Sequence, residues 1–456
     1  MILKIDREIQ SSLPIFNFRI KYACVKIEIC ERLNFMVRLI DLFSGISGMR
    51  IGFEKACLSK NLQSQCVFTS EIKSHAIEVL KQNYPNEKIH GDITLISSDQ
   101  IPDFDFLLAG FPCQSFSSAG KRLGFEDFRG NLFFEIIRIL QDKKPFGFLL
   151  ENVEGLVTHN RENPRDKIGK TFSKILESLK SLGYEVSWKI LNAKNFGLPQ
   201  DRKRIYIAGT KSQAPNLENF QQHKSILSDI LESNLPIHQS RLTEILLHKY
   251  RPRELYGKSI KDKRGGLNNI HSWDLELKGS ISDSQKRLLN LMLKERRKKK
   301  WAIEFGIDWM DGMPLTIKQI ETFFRDENLK FMLEDLLNKG YLKLEHPKKK
   351  IGNSRVQDKK LPLGFNIVTG KMSFEINKIL DPNDIAPTLV AMDLQGLFVV
   401  DGDGLRRLSL REGLRLFGYP ESFRFDVRIS DGYDLLGNTV AIPVVESVSE
   451  RLLEVS

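Results

Sequence analysis

Over roughly its first half the chain alternates short apolar runs with stretches whose apolar residues recur every three or four positions. The first clear strand is Val37-Arg38-Leu39-Ile40-Asp41-Leu42-Phe43, and the spacing after it predicts a helix over Met49 to Lys60. A second strand, Cys66 to Ser70, runs into Glu71, and a helix over Ser74 to Asn83 leads to a short third strand at Lys88 to His90. Asp103 to Ala109 reads as a fourth strand, separated by a Ser- and Gly-rich loop from a helix over Asn131 to Gln141. Phe146 to Leu150 is a fifth strand, ending in Glu151-Asn152-Val153. Helix Lys170 to Leu182 precedes a sixth strand, Tyr184 to Leu191, and Arg204 to Ala208 makes a seventh. Runs this apolar suit strands covered on both faces, and strand–helix alternation predicts a doubly wound α/β sheet.

From about Lys211 to about Asp381 the pattern dissolves and irregular structure is expected. Within it, Thr316 and Gln319 form a capping box opening Ile317 to Arg325. A second helix fits Asn328 to Lys339, closed by Gly340 before Tyr341-Leu342-Lys343-Leu344. Two short helices and a strand resemble part of a winged helix, and a subdomain that only packs is the open alternative. Ser409 and Glu412 make another capping box, on a helix carrying Arg415, and Gly437-Asn438-Thr439-Val440 is expected to open a last helix toward Leu453. The stretch before Phe35 shows no clear periodicity, and Met36 is an alternative natural start.

A chain of 456 residues can hold two domains. Its excess of eleven basic over acidic residues points to a polyanionic partner, nucleic acid before a membrane surface. No apolar run reaches the length of a spanning helix and no signal peptide is evident, so a cytoplasmic protein is expected. The five cysteines, Cys24, Cys30, Cys57, Cys66 and Cys113, show no metal-ligand spacing, which predicts free thiols and no metal site.

One thiol stands out. In Gly110-Phe111-Pro112-Cys113-Gln114-Ser115, Cys113 follows the fourth strand, and ligand crevices of open α/β sheets lie at the carboxyl ends of strands. Cys113 is therefore a candidate nucleophile, with an inert buried cysteine as the plain alternative. The turn Phe43-Ser44-Gly45-Ile46-Ser47-Gly48 lies between a strand and a helix, where a ligand can approach the backbone, and Glu71 falls where nucleotide folds place a ribose-binding carboxylate. The full G-x-G-x-x-G fingerprint is absent, which puts a dinucleotide second.

Taken in order, these motifs resemble the DNA cytosine-5 methyltransferases, the family that includes the modification enzymes of bacterial restriction systems. Asp41 to Gly48 resembles the first motif, Gly110 to Ser115 the nucleophile motif, Glu151-Asn152-Val153 the acid motif and Gln200-Asp201-Arg202-Lys203-Arg204 the family's Q-x-R-x-R. Arg407 to Arg415 and Gly437 to Val440 are similar to the last two motifs. The resemblance spans residues 37 to 210 and 384 to 456. Ser47 departs from it, standing where glycine is usual, and a positive φ there would strain the loop.

The resemblance implies an S-adenosylmethionine-dependent, Rossmann-like catalytic domain over 37–210 and a smaller inserted target-recognition domain over 211–425. A C-terminal helix would return over 426–456, and residues 1–36 form an extension. It implies Cys113 as nucleophile on cytosine C6, Glu151 as acid at N3, and Arg204 at O2 with Arg202 nearby. Asp41, Phe43, Gly45, Ile46, Gly48, Glu71, Ile72, Asp92, Ile93, Pro112 and Asn438 would line the cofactor. Double-stranded DNA with a flipped cytosine is the implied substrate, for a monomer serving beside a restriction endonuclease without binding it. A tRNA cytosine-5 methyltransferase and a DNA-binding protein with an inactive core are the alternatives.

Overall fold

The computed structural model describes residues 36–112, 132–163, 165–263, 266–351, 354–368, 374–391 and 393–456. Cys113, the loop after it and the N-terminal extension lie outside the described residues. The described chain forms two compact units: residues up to Ile230 with 385–392 and 410–456, and residues 231–384 with 393–409.

The first unit is built on strands β1 (Met36–Leu42), β2 (Gln63–Ser70), β3 (Ile89–His90), β4 (Phe106–Gly110), β5 (Gly147–Val153), β6 (Glu185–Asn192) and β7 (Lys203–Thr210). Their order across the sheet is β3-β2-β1-β4-β5-β7-β6. Neighbours from β3 to β5 are parallel, whereas β7 runs antiparallel to both β5 and β6. The apolar runs do not encode that reversal, because strand composition is blind to direction. The order turns back between β1 and β4, and the crevice of a doubly wound sheet opens at the carboxyl ends on either side of such a point.

Helices α1 (Gly48–Ser59), α2 (Ser74–Asn83), α3 (Leu132–Lys143) and α4 (Lys170–Ser181) match the predicted spans to within two residues at each end. Phe133, Ile136 and Ile139 of α3 and Phe172, Ile175 and Leu179 of α4 pack with Ile40, Leu42, Leu107 and Leu150 in one core. On the other face Met49, Phe53 and Cys57 of α1 meet Leu39, Leu108, Leu149 and Val444, Val445 and Val448 of the last helix, Ile442–Leu453. Gly52 permits that approach, since a Cβ there would lie 2.6 Å from Val445.

Three expectations change. Gly437 and Asn438 end a helix, Ile429–Asn438, that the sequence reading missed; Thr439 to Ala441 link it to the last helix, which starts at Ile442 with Pro443 in its first turn. Residues 211–230 and 410–425 stay with the catalytic unit, moving both sequence boundaries. Leu217 and Phe220 pack with Phe196, and Gly413 in helix Leu410–Arg415 fits under Leu436.

The second unit is ordered where irregularity was expected. A five-stranded sheet joins Gly404–Arg407, Leu397–Asp401, Lys378–Ile379, Ser259–Ile260 and Asn269–Ile270. Strands this short leave little periodicity to read. A separate apolar core holds helices Asp283–Glu295, Lys300–Glu304, Ile317–Glu321 and Leu329–Asn338 against strands Leu342–Glu345 and Gly364–Ile367. Those two strands pair antiparallel, Leu315 bridges to Phe365, and a hairpin of Lys348–Ile351 with Ser354–Gln357 projects between them. Two helices, the Leu315 bridge, two further helices, a strand, the hairpin and a last strand follow in that order, so the two helices and strand resembling part of a winged helix lie within a larger helical unit.

Candidate active site at the carboxyl rim of the sheet

β1 ends in a loop of alternating handedness: Phe43, Gly45 and Ser47 have φ of 54°, 54° and 59°. The left-handed residues turn the strand sharply into α1. Gly45 is free of strain there and a Cβ on it would meet nothing within 4 Å, so open space lies in front of the loop. Ser47 is strained and fully buried, and its hydroxyl lies beside Asp41 without a well-formed hydrogen bond. Gly48 lets the loop pass close to the last helix's lead-in, since a Cβ would fall 2.8 Å from Val440.

Glu71, at the end of β2, clasps this loop. Its Oε2 accepts from the Gly45 N–H at 2.7 Å, and its Oε1 accepts from Ile72 and Lys73 N–H at 2.8 Å each. A carboxylate has about four acceptor positions, so room for a hydroxyl donor remains. Beside it Ile72 is 69% exposed, and Asp92 uses Oδ1 for Thr94 while its other oxygen is unoccupied among the described residues. Phe43, Gly45, Ile72, Asp92, Pro112 and Asn438 all present surface at this rim. A carboxylate, a second acceptor, an exposed apolar side chain and open space beside a glycine fit a cationic nucleoside-type cofactor.

Four residues expected to line the cofactor do not face outward. Ile46, Gly48 and Ile93 are buried, and Asp41 has no exposed surface. Neither Asp41 oxygen finds a hydrogen bond. Burial pushes its pKa up to about 8; Arg50 opposes this, Glu54 and Glu71 add to it, and the nearby Ser47 hydroxyl favours the ionised form. Asp41 therefore lies buried beneath the loop.

The reaction side lies at the ends of β4 and β5. Gly110 pairs with Glu151 across these strands, and a Cβ on Gly110 would lie 3.7 Å from Glu151 Oε2. Glu151 is buried. Arg204 Nε approaches its Oε1 at 3.2 Å without the alignment of a hydrogen bond. Burial raises the Glu151 pKa, while Arg204 and Arg202 pull it back. Burial thus disfavours the charged carboxylate while the neighbouring guanidinium favours it. Opposite Glu151 on β7, Tyr206 buries a hydroxyl that has no partner. Asn152 donates to the Phe111 carbonyl at 3.1 Å and so fixes the backbone two residues before Cys113.

Arg202, expected to be catalytic, turns its side chain to the backbone of neighbouring segments. Its guanidinium is buried and donates to the carbonyls of Leu389 at 2.9 Å and Thr439 at 2.6 Å, with Phe417 beneath it. Gln200, from the same motif, donates to Leu416 O and accepts from Leu389 N–H. Asn438 is exposed and donates to the Asp434 backbone and carboxylate, which also accepts from Lys73 and His75.

Sequence reasoning missed Tyr419, whose hydroxyl donates to Ile46 O at 3.2 Å and shares a 2.6 Å hydrogen bond with Thr439. It also missed Arg50, which grips Glu87 with two N–H groups and stacks over Tyr84. Neither belongs to a local pattern. Asn152 and Gln200 did lie inside quoted motifs, which was the available signal.

The family model of C-5 cytosine-specific DNA methylases matches residues 37–454. Type II methyltransferase M.NlaIV of Neisseria lactamica is 64% identical over 417 residues, covering 91% of this chain and 99% of that protein. M.BanI of Aneurinibacillus aneurinilyticus is 39% identical over 92% of this chain and 96% of its own. Among solved structures, the Entamoeba histolytica methyltransferase EhMeth superposes with a TM-score of 0.51 at 16% identity, covering 92% of this chain and 99% of that one. That last likeness is one of fold.

Proposed function

The chain belongs to the C-5 cytosine-specific DNA methylase family and is a type II DNA methyltransferase, and we propose that it methylates C5 of a cytosine flipped from a short duplex target, through a covalent bond to Cys113. The observation that carries the residue assignment is the buried Glu151 beside Arg204, facing the end of the strand that leads into Cys113. A base within a duplex cannot reach such a pocket unless it leaves the stack.

Cytosine C5 is a weak nucleophile. Addition of the Cys113 thiolate to C6 moves electron density toward N3 and C5, and the Glu151 carboxyl meets the charge at N3 by donating its proton or a hydrogen bond. Arg204 is placed to hold the base O2 while limiting how far the Glu151 pKa climbs. S-adenosylmethionine, when bound, supplies an electrophilic methyl group. After C5 has gained the methyl it loses its proton to a base, and the Sγ–C6 bond breaks to return the thiolate and the aromatic ring. Glu71, Asp92, Ile72 and the Gly45 loop would hold the donor, with Asp41, Tyr419 and Arg202 keeping that rim in shape. The enzyme acts as a cytoplasmic monomer that protects DNA from a partner endonuclease it does not bind.

The test is transfer of labelled methyl to duplex DNA and to tRNA in parallel, with Cys113→Ala beside the intact protein. Label at one recurring short DNA sequence, lost in the variant, is the expected result. Label in tRNA alone would overturn the substrate, and undiminished transfer by the variant would overturn the covalent route.

A further inference from the structure

Two short segments of the second unit concentrate the protein's basic charge. Residues 294–300 and 348–360 hold twelve basic side chains against two carboxylates, which is ten of the chain's eleven net positive charges. The first segment ends helix Asp283–Glu295 and the second is the projecting hairpin with its return. Trp309 joins them in space: its indole N–H donates to Arg297 O at 2.9 Å, and its own carbonyl accepts from Arg355 at 3.1 Å. Leu293, Lys294, Arg297, Lys298 and Trp309 line one shallow hollow.

Some of this charge is already matched. Arg296 is buried against Asn366, Arg297 pairs with Asp311, Lys298 with Glu295 and Lys349 with Asp358. Lys294, Lys299, Lys350, Lys359 and Lys360 are exposed and have no ion-pair partner among the described residues. A surface that gathers like charges and leaves them unpaired is repulsive by itself, and a polyanion relieves it.

Helix Leu329–Asn338 is the second of two consecutive short helices, the position at which a helix-turn-helix carries its groove-reading helix. Its exposed positions are Lys330, Phe331, Glu334 and Asn338, an assortment with no net positive charge. The basic surface is on the hairpin and the first helix's end instead.

We propose that this hairpin and helix end form a platform for the phosphate backbone of duplex DNA outside the target sequence, and that helix Leu329–Asn338 does not read the groove. The proposal rests on the reading that the substrate is DNA. Lysines of this kind contact phosphates without base information, so they add affinity and salt dependence equally for target and non-target duplexes.

The test compares Lys350→Gln/Lys359→Gln/Lys360→Gln and Lys294→Gln/Lys299→Gln with Lys330→Gln as control. None of the five platform lysines has an ion pair to break. Duplex binding is measured against salt concentration, and methyl transfer is scored on the same samples. The triple variant is expected to flatten the slope of log affinity against log salt by about 2 to 3, at about 0.9 per phosphate contact. It should weaken target and non-target duplexes alike and leave kcat at saturating DNA within about twofold. Unchanged slopes in both basic variants, with the intact protein methylating DNA, would overturn the platform alone. A loss matched by Lys330→Gln, or an altered target choice, would do the same. An intact protein that transfers no methyl to DNA would remove the reading beneath it as well.

Discussion

Replacing Ser47 by glycine should stabilise this protein, although it deletes a buried side chain. Ser47 sits at φ 59°, ψ 28° as the residue before α1, and its hydroxyl caps nothing. Left-handed backbone costs a non-glycine residue about 1–2 kcal/mol, and a buried hydroxyl without a well-formed hydrogen bond adds up to about 1 kcal/mol. Against this, glycine loses about 0.4–1 kcal/mol through the greater freedom of the unfolded chain, and one buried methylene is worth about 0.8 kcal/mol. The balance is a gain of about 1 kcal/mol, or about 2 °C in Tm for a unit of this size. The backbone bonds Ser47 N–H to Ser44 O at 2.8 Å and Ile51 N–H to Ser47 O at 2.9 Å do not need the side chain. Urea and thermal unfolding of Ser47→Gly beside the parent, with a cofactor titration on each, measures it. Equal or tighter cofactor binding should accompany the gain, since the loop keeps its shape with less strain. A loss of stability beyond about 1 kcal/mol, the worth of one hydrogen bond, would refute the argument and show that the hydroxyl holds Asp41.

Asp41 should make stability fall with rising pH. Its folded pKa of about 8 stands above the ordinary 3.8, so between these values the folded state keeps a proton that the unfolded chain releases. The contribution is fully present below about pH 4 and is lost toward pH 8, at up to about 1.4 kcal/mol per pH unit. Urea unfolding across that window should show a flatter profile for Asp41→Asn, and matching profiles would mean that Asp41 folds ionised. Glu151→Gln should lower kcat by about a hundred- to ten-thousand-fold while DNA binding persists. Because the acid form is the working one and burial raises its pKa, methyl transfer by the intact enzyme should decline on the alkaline side of that pKa, as single-turnover rates against pH would show. Tyr419→Phe leaves Thr439 and Ile46 O short of a hydrogen-bond partner and should cost about 1–3 kcal/mol. Cofactor titration should show weaker binding with kcat at saturation preserved.

The alternation of apolar runs placed all seven strands of the catalytic sheet and its four flanking helices, because each element buries a face whose spacing is written locally. The motifs placed Glu71 one step past β2, Glu151 in the last three residues of β5 and Asp92 two residues past β3, all toward the carboxyl ends of their strands. The left-handed backbone at position 47 was legible only as a condition, since serine where glycine is usual says nothing of φ until the loop is closed.

What the chain's order of residues determined by itself is the set of elements and the residue types that can do the chemistry. What only the tertiary structure decided is which neighbours each charge meets. Arg202 and Arg204 stand two residues apart on one strand, yet Arg202 is spent on the carbonyls of Leu389 and Thr439 while Arg204 faces Glu151. Asp41 is buried beneath the loop, and Tyr419 reaches Ile46 across hundreds of residues of chain. The reversal of β7 and the joining of two basic segments through Trp309 are of the same kind. Periodicity records which face of an element is buried, but contacts between distant elements depend on how those faces close on one another, and no local pattern carries that.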